Sequence, residues 1–164
     1  DMTLVPNLAK DGDPRASETL HAILFDSGRP LLIAPPSPPK SVGRRIAIAW
    51  NGTPEASLAL RCILPWAHKA EAVQVLTCQD YQRRGPGADE VVTYLRMHGI
   101  SATSREFEAV NRDIGVGLLN AATEFNADML GMGAYSHSRL RQMILGGVTR
   151  HILEHAQITV LMSR

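Results

Sequence analysis

The chain is poor in the features that mark secreted, membrane-spanning or polyanion-binding proteins. Its 164 residues include only two cysteines, Cys62 and Cys78. They stand in no C-x-x-C spacing and cannot staple a chain of this length, so they read as small hydrophobes in a reducing compartment, with neither a disulfide nor a zinc site. No apolar run approaches the roughly 20 residues that span a bilayer, and no basic stretch leading into an apolar one opens the chain. An excess of one charge is also missing. Lys+Arg number 17 against 16 Asp+Glu, a formal net charge of +1, which leaves no bulk attraction to nucleic acid or to an anionic membrane. These absences predict a soluble, cytoplasmic protein. Catalytic signatures are lacking as well. No Gly-x-Ser-x-Gly elbow surrounds Ser136 or Ser138, Asp113 and Glu124 form no carboxylate pair, and no nucleophile stands with its base. The expectation is a protein that is not an enzyme. His151 and His155 lie one helical turn apart, a spacing compatible with zinc, but no third ligand accompanies them.

What the sequence does have is a core. Hydrophobic residues make up 45% and charged residues 20%, the balance of an ordinary globular domain. Short apolar runs alternate with longer amphipathic stretches, which predicts an α/β domain with a mainly parallel sheet. Strands are read over 46–50, 73–78, 100–107, 129–132 and 158–162. The first of these has no polar alternation, so it is placed at the centre, buried on both faces. Helices are read from Pro54 with Thr53 as N-cap, over 89–98 with Gly99 closing the end, over 113–125, and up to about His155. Residues 82–87 form a polar loop. Positions 44–164 thus make a complete doubly wound unit of the flavodoxin-like class.

Residues 1–36 stand apart from that unit. The Pro-Pro-Ser-Pro-Pro run at 35–39 is a stiff, extended spacer, and the linker is placed at 37–43. Ahead of it come an apolar strand at 1–5, a polar loop, a helix over 16–27 and a strand over 31–34. The end of the chain repeats that order, with Asp1 and Asp128 each thirty positions ahead of the apolar residues Leu31 and Ile158. This is either an internal duplication or the chance likeness of two strand-helix-strand units. Because the chain opens at Asp1 in what already reads as a strand, a preceding segment is expected. The strands at 31–34 and 158–162 are both apolar edges, and they are expected to pair antiparallel, since bare apolar edges invite pairing.

The chemistry-bearing stretch runs from Gly131 to Arg150. Glycines after a strand let backbone approach a ligand, and Gly146-Gly147 ahead of the last helix would present N–H groups at a helix N-terminus, where an anion is favoured. The same glycines serve equally well for tight turns and close helix packing. His137, Arg139, Arg141, Arg150 and His151 form a basic cluster that reads either as phosphate neutralisation or as a solvated helix face. Arg139 is the strongest candidate among them.

The segment from Gly133 to Thr149 resembles the nucleotide loop of the universal stress protein family, which reads Gly, two residues, Gly, nine residues, Gly, then Ser or Thr. The resemblance covers positions 44–164, and residues 1–36 look like the end of a preceding domain of the same kind, as in a tandem member. It implies a five-stranded parallel sheet in the order 3-2-1-4-5, with the last strand at 158–162 free to form a homodimer or an intrachain pseudo-dimer. It also implies a stress-response binding module. Three departures appear. Ser136 stands at the second glycine, Gly147 at the hydroxyl position, and Asn51 where nucleotide-binding members have an aspartate near ribose and metal. Gly133 and Gly146 match. The ligand implied is ATP or AMP, with Mg²⁺ alongside ATP, held by Asn51, Cys78 (through its backbone), Gly133, Ser136, Arg139, Gly146, Gly147 and Val148. The alternatives are a nucleotide-free association module with a degenerate loop and, least favoured, a slow ATPase.

Overall fold

The computed structural model describes residues 1–6, 14–135 and 147–164. In chain order the elements are β1 (Thr3–Val5), α1 (Pro14–Asp26), β2 (Leu31–Ile33), β3 (Arg45–Ala49), α2 (Pro54–Ala67), β4 (Ala72–Thr77), a 3₁₀ turn (Gln79–Tyr81), α3 (Ala88–Met97), β5 (Ala102–Glu106), α4 (Ile114–Glu124), β6 (Met129–Gly133), α5 (Gly147–His155) and β7 (Thr159–Ser163). The strands form one seven-stranded sheet in the order β1-β2-β7-β6-β3-β4-β5. From β5 to β7 every pairing is parallel. β2 then joins β7 antiparallel, with Leu31 opposite Met162 and Ile33 opposite Val160, and β1 runs parallel to β2.

β3 is central because its Arg-Ile-Ala-Ile-Ala sequence can be buried on both sides. Ile46 and Ile48 enter one core with Ile63 of α2 and Leu95 of α3. Ala47, pointing the other way, enters a second core with Leu118 of α4, Ile152 of α5, and Leu20 and Leu24 of α1. The alternation of large and small residues sets how closely each helix layer approaches the sheet. The start of the strand is pinned by Asp128, whose carboxylate accepts the N–H groups of Arg44 at 3.1 Å and Arg45 at 3.0 Å.

Local chemistry fixes the helix ends. Thr53 Oγ1 accepts from Ala56 N at 3.2 Å, and Pro54 fills the first helical position of α2, where a missing N–H costs nothing. The Glu90 carboxylate reaches back to the N–H of Gly87 at 2.7 Å ahead of α3. Asp113 Oδ1 caps α4 by accepting from Val116 N at 3.1 Å. Gly99, at φ 74°, closes α3. There the expected strand at 100–107 is shortened, because Ile100 N donates back to Leu95 O at 3.0 Å and is spent on the helix end.

Outside β2 the sheet ends in β1, whose Leu4 is 67% exposed. The antiparallel junction should be separable from the parallel core. In Leu32→Pro the ladder loses a donor in β2, and hydrogen exchange should speed up at 3–5 and 31–33 while 45–49 keeps its protection. Unchanged protection at 31–33 would contradict this pairing.

Candidate functional site

β3 and β6 lie side by side, yet the chain leaves β3 into α2, which packs in one core, and resumes after β6 in α5, which packs in the other. Neighbouring strands whose connections diverge in this way leave a crevice at their C-terminal ends. Here it is a narrow recess with a cavity of about 30 Å³, lined by Trp50, Asn51, Cys78, Tyr81, Phe107, Ile114, Leu118, Met132, Gly133 and Val148, among others. A wider hollow of about 350 Å³ adjoins it, sharing Tyr81, Ile114 and Val148 and adding Asn111, Arg112, Asp113 and Gly147. Both are lined more by apolar than by polar surface, the polar side chains Asn111, Arg112 and Asp113 belong to the outer hollow, and only that hollow falls in the size range of small-molecule sites, roughly 300–1,000 Å³.

Of the residues expected from sequence, Asn51, Cys78, Gly133 and Val148 line the recess, and Gly147 joins Val148 in the outer hollow. Ser136, Arg139 and Gly146 lie outside the described residues, as do His137 and Arg141 of the basic cluster. The other members of that cluster are turned to structural work. Arg150 pairs with Glu154, Nε to Oε1 at 2.7 Å. The His151 ring stacks on His155 with centroids 4.3 Å apart, and its Nδ1 faces Asp113 Oδ2 at 3.4 Å. No group of three metal-ligating side chains occurs among the described residues.

Three of these lining residues are also held by the fold. Asn51 Oδ1 accepts from Thr53 Oγ1 at 2.9 Å and from Thr53 N at 3.3 Å, so it orients the residue that caps α2. The Asn51 carbonyl receives Arg83 N at 2.8 Å. Cys78, 4% exposed, gives its carbonyl to Tyr81 N at 3.0 Å in the 3₁₀ turn. Gly133 has a packing reason of its own: a Cβ there would lie 2.5 Å from Ala56 N and 2.6 Å from Glu55 C, inside the first turn of α2. By contrast a Cβ on Gly147 would meet nothing within 4 Å.

Segment 82–87 is strapped across the end of β3. Trp50 Nε1 donates to Pro86 O at 2.8 Å, Gln82 Nε2 reaches the same oxygen at 3.4 Å, and the backbones of Gly52 and Gly85 touch with no room for a side chain on Gly85. The Arg83 guanidinium lies 5.3 Å from the centre of the Tyr81 ring. On the opposite wall Val110 and Asp113 close a tight turn by exchanging N–H···O bonds of 3.0 and 2.8 Å. Its central residues, Asn111 and Arg112, have φ of 50° and 65°. Two left-handed residues in succession define a type I′ turn, which favours Asn-Gly. Arginine at the second position costs on the order of 1 kcal/mol. Sequence reasoning missed this wall, although Asn111 ahead of the Asp113 cap was a usable turn signal. Tyr81, Phe107, Ile114 and Leu118 arrive from distant positions and carried none.

Fold and cleft together define a doubly wound α/β domain with a crevice at the point where its strand order reverses. Residues 43–164 match the model of the universal stress protein family, and the chain belongs to that family. A universal stress protein from Archaeoglobus fulgidus DSM 4304 superposes with a TM-score of 0.74 at 17% identity, over 99% of this chain and 60% of that one. A functionally unknown protein from Pseudomonas aeruginosa PAO1 gives 0.65 at 15% identity, over 99% and 62%. The universal stress protein of Lactobacillus plantarum gives 0.54 at 15%, over 76% of this chain and 100% of that chain. Such identities speak for the fold alone. The chain therefore spans about three-fifths of the length of the first two relatives. No curated protein matches it by sequence.

Two substitutions separate packing from binding at this site. Gly133→Ala pushes a methyl group into the α2 backbone and should destabilise by about 1–3 kcal/mol, lowering Tm by roughly 2–12 °C in a chain of this size. Thermal melting without ligand reads this, and an unchanged Tm would remove the packing role. Arg112→Gly relieves the left-handed arginine and should stabilise by up to about 1 kcal/mol. A Tm that falls in this variant would show that the Arg112 side chain contributes more to the fold than its backbone costs.

Proposed function

We propose that the chain is a stress-response binding and regulatory module that takes an adenine nucleotide, ATP or AMP, in the cleft at the ends of β3 and β6. The observation that carries this reading is the outer hollow of the cleft. It is large enough for a small molecule, has Tyr81, Ile114 and Val148 as its aromatic and apolar wall, and ends at the first residues of α5, whose N–H groups face an anion favourably. The loop pattern from Gly133 to Gly146 supports the same assignment. In this reading Asn51 and the backbone of Cys78 meet sugar and base, Gly147 and Val148 meet phosphate, and the sequence pattern adds Ser136, Arg139 and Gly146. Among the described residues none stands in a position to align an attacking water, and the reading is of a module that binds nucleotide without turning it over.

A second reading is favoured by a different observation. β1 leaves an open edge carrying the exposed Leu4, and Ser136, Gly147 and Asn51 depart from the family's binding pattern. On this reading the loop is degenerate and the cytoplasmic protein works by association, as a homodimer or through the junction at the last strand. Residues 1–36 then represent the end of a preceding like domain in a longer, tandem protein.

Calorimetric titration with ATP distinguishes the two. The nucleotide reading expects a micromolar Kd, about −8 kcal/mol. Restoring the family pattern with Ser136→Gly and Gly147→Ser should tighten it by roughly tenfold, the worth of one added hydrogen bond to a charged group. Failure of the native sequence to saturate at about 1 mM nucleotide, near −4 kcal/mol, would leave the association reading.

A further inference from the structure

A nucleotide phosphate chain needs counter-charge, supplied either by a divalent cation on oxygen ligands or by the protein's own cations. Mg²⁺ asks for hard oxygen donors, commonly one or two carboxylates besides the phosphates. The residues around this cleft do not fit that requirement. Asn51, at the position where the family resemblance places an aspartate, is neutral, and its Oδ1 is already engaged by the Thr53 hydroxyl and N–H. Asp113 is the one carboxylate lining either hollow among the described residues. Its Oδ1 caps α4 through Val116 N and its Oδ2 faces His151 Nδ1. The stretch 136–146 cannot make up the deficit, because it reads Ser-His-Ser-Arg-Leu-Arg-Gln-Met-Ile-Leu-Gly and contains neither Asp nor Glu.

Positive charge, however, is on the wall of the same hollow. Arg112 lines its outer part, held there by a left-handed backbone that propensity disfavours, and it has no ion-pair partner among the described residues. Arg150, the nearest guanidinium on α5, is committed to Glu154. A strained residue lining a cleft points to a role for its side chain. A guanidinium suits that role, since it stays charged and presents paired N–H donors to phosphate oxygens.

We infer that this chain binds its phosphate-bearing ligand without a divalent cation, with Arg112 supplying counter-charge that the metal provides elsewhere. The inference rests on the nucleotide reading above. It is tested by titrating the chain with ATP in parallel, once with excess Mg²⁺ and once with excess EDTA, and repeating both with Arg112→Gln, whose fold is checked by circular dichroism. Kd values agreeing within about threefold between the two buffers, less than half of a tenfold step in free energy, support it. So does a loss of about tenfold in Arg112→Gln in EDTA, the scale of a charge-assisted contact. In Asn51→Asp the added carboxylate should make binding respond to Mg²⁺. Saturation of the native sequence only in Mg²⁺ overturns the inference and leaves nucleotide binding standing. Metal-independent binding that ignores Arg112→Gln overturns the role of Arg112. No heat in either buffer overturns the nucleotide reading and this inference with it.

Discussion

With β4 on one edge and β6 on the other, β3 has no side open to water: Ile46 and Ile48 face one helical layer and Ala47 the other. A strand enclosed in this way fixes the placement of everything around it, because a slip of one residue would exchange its isoleucines and alanine between layers that cannot accept them. The crevice follows from the same constraint. The connections from β3 and β6 diverge to cover opposite faces, and the crevice lies between them at the C-terminal ends of these two strands. The site is thus a geometrical remainder of covering a parallel sheet on two sides.

A remainder of this kind has exposed backbone ends, and most polar groups at the cleft are spent on satisfying them. Thr53 caps α2, a contribution on the order of 1 kcal/mol, and Asn51 holds Thr53. Asp113 caps α4, and His151 rests against Asp113. These side chains are oriented before any ligand arrives, which limits the ordering cost of binding. It also limits what they have left to offer: a carboxylate or amide oxygen committed to a helix end is a poor metal donor. In this protein the economy of capping and the electrostatics of the cleft are one problem.

The mainly parallel character of the sheet, the central strand and the Thr53-Pro54 helix start were legible because each is local, read from periodicity or from a cap within a few positions. Element ends were less so. Ile100 looks like strand in an apolar run but is drawn into the end of α3 by the left-handed Gly99, and Trp50 follows β3 while its indole turns to Pro86 on the strap. Gly133 shows the limit for the site. Its place in the loop pattern was visible, whereas its contact with the α2 backbone depends on a helix nearly eighty residues earlier in the chain. Tyr81 and Phe107 converge for the same non-local reason. The Asn111-Arg112 turn escaped because propensity argues against arginine at φ 65°.

The antiparallel joint between β2 and β7 has a consequence for the cleft that a parallel addition would lack. Reversing direction at β7 places the start of β2, and with it the end of α1, at the same end of the sheet as the C-termini of β6 and β7. Phe25, in the last turn of α1, therefore packs against Tyr135, with ring centroids 5.2 Å apart, and the Arg164 guanidinium lies 3.9 Å from the centre of the Phe25 ring. Tyr135 sits two residues beyond β6, in a left-handed conformation at φ 55°, and burial pushes its phenol up to about 12, so the group stays neutral across the physiological range. This residue immediately precedes the stretch 136–146. The N-terminal segment and the end of β6 are thus packed onto one aromatic anchor, and any shift in how α1 seats on the sheet must be accommodated at Tyr135.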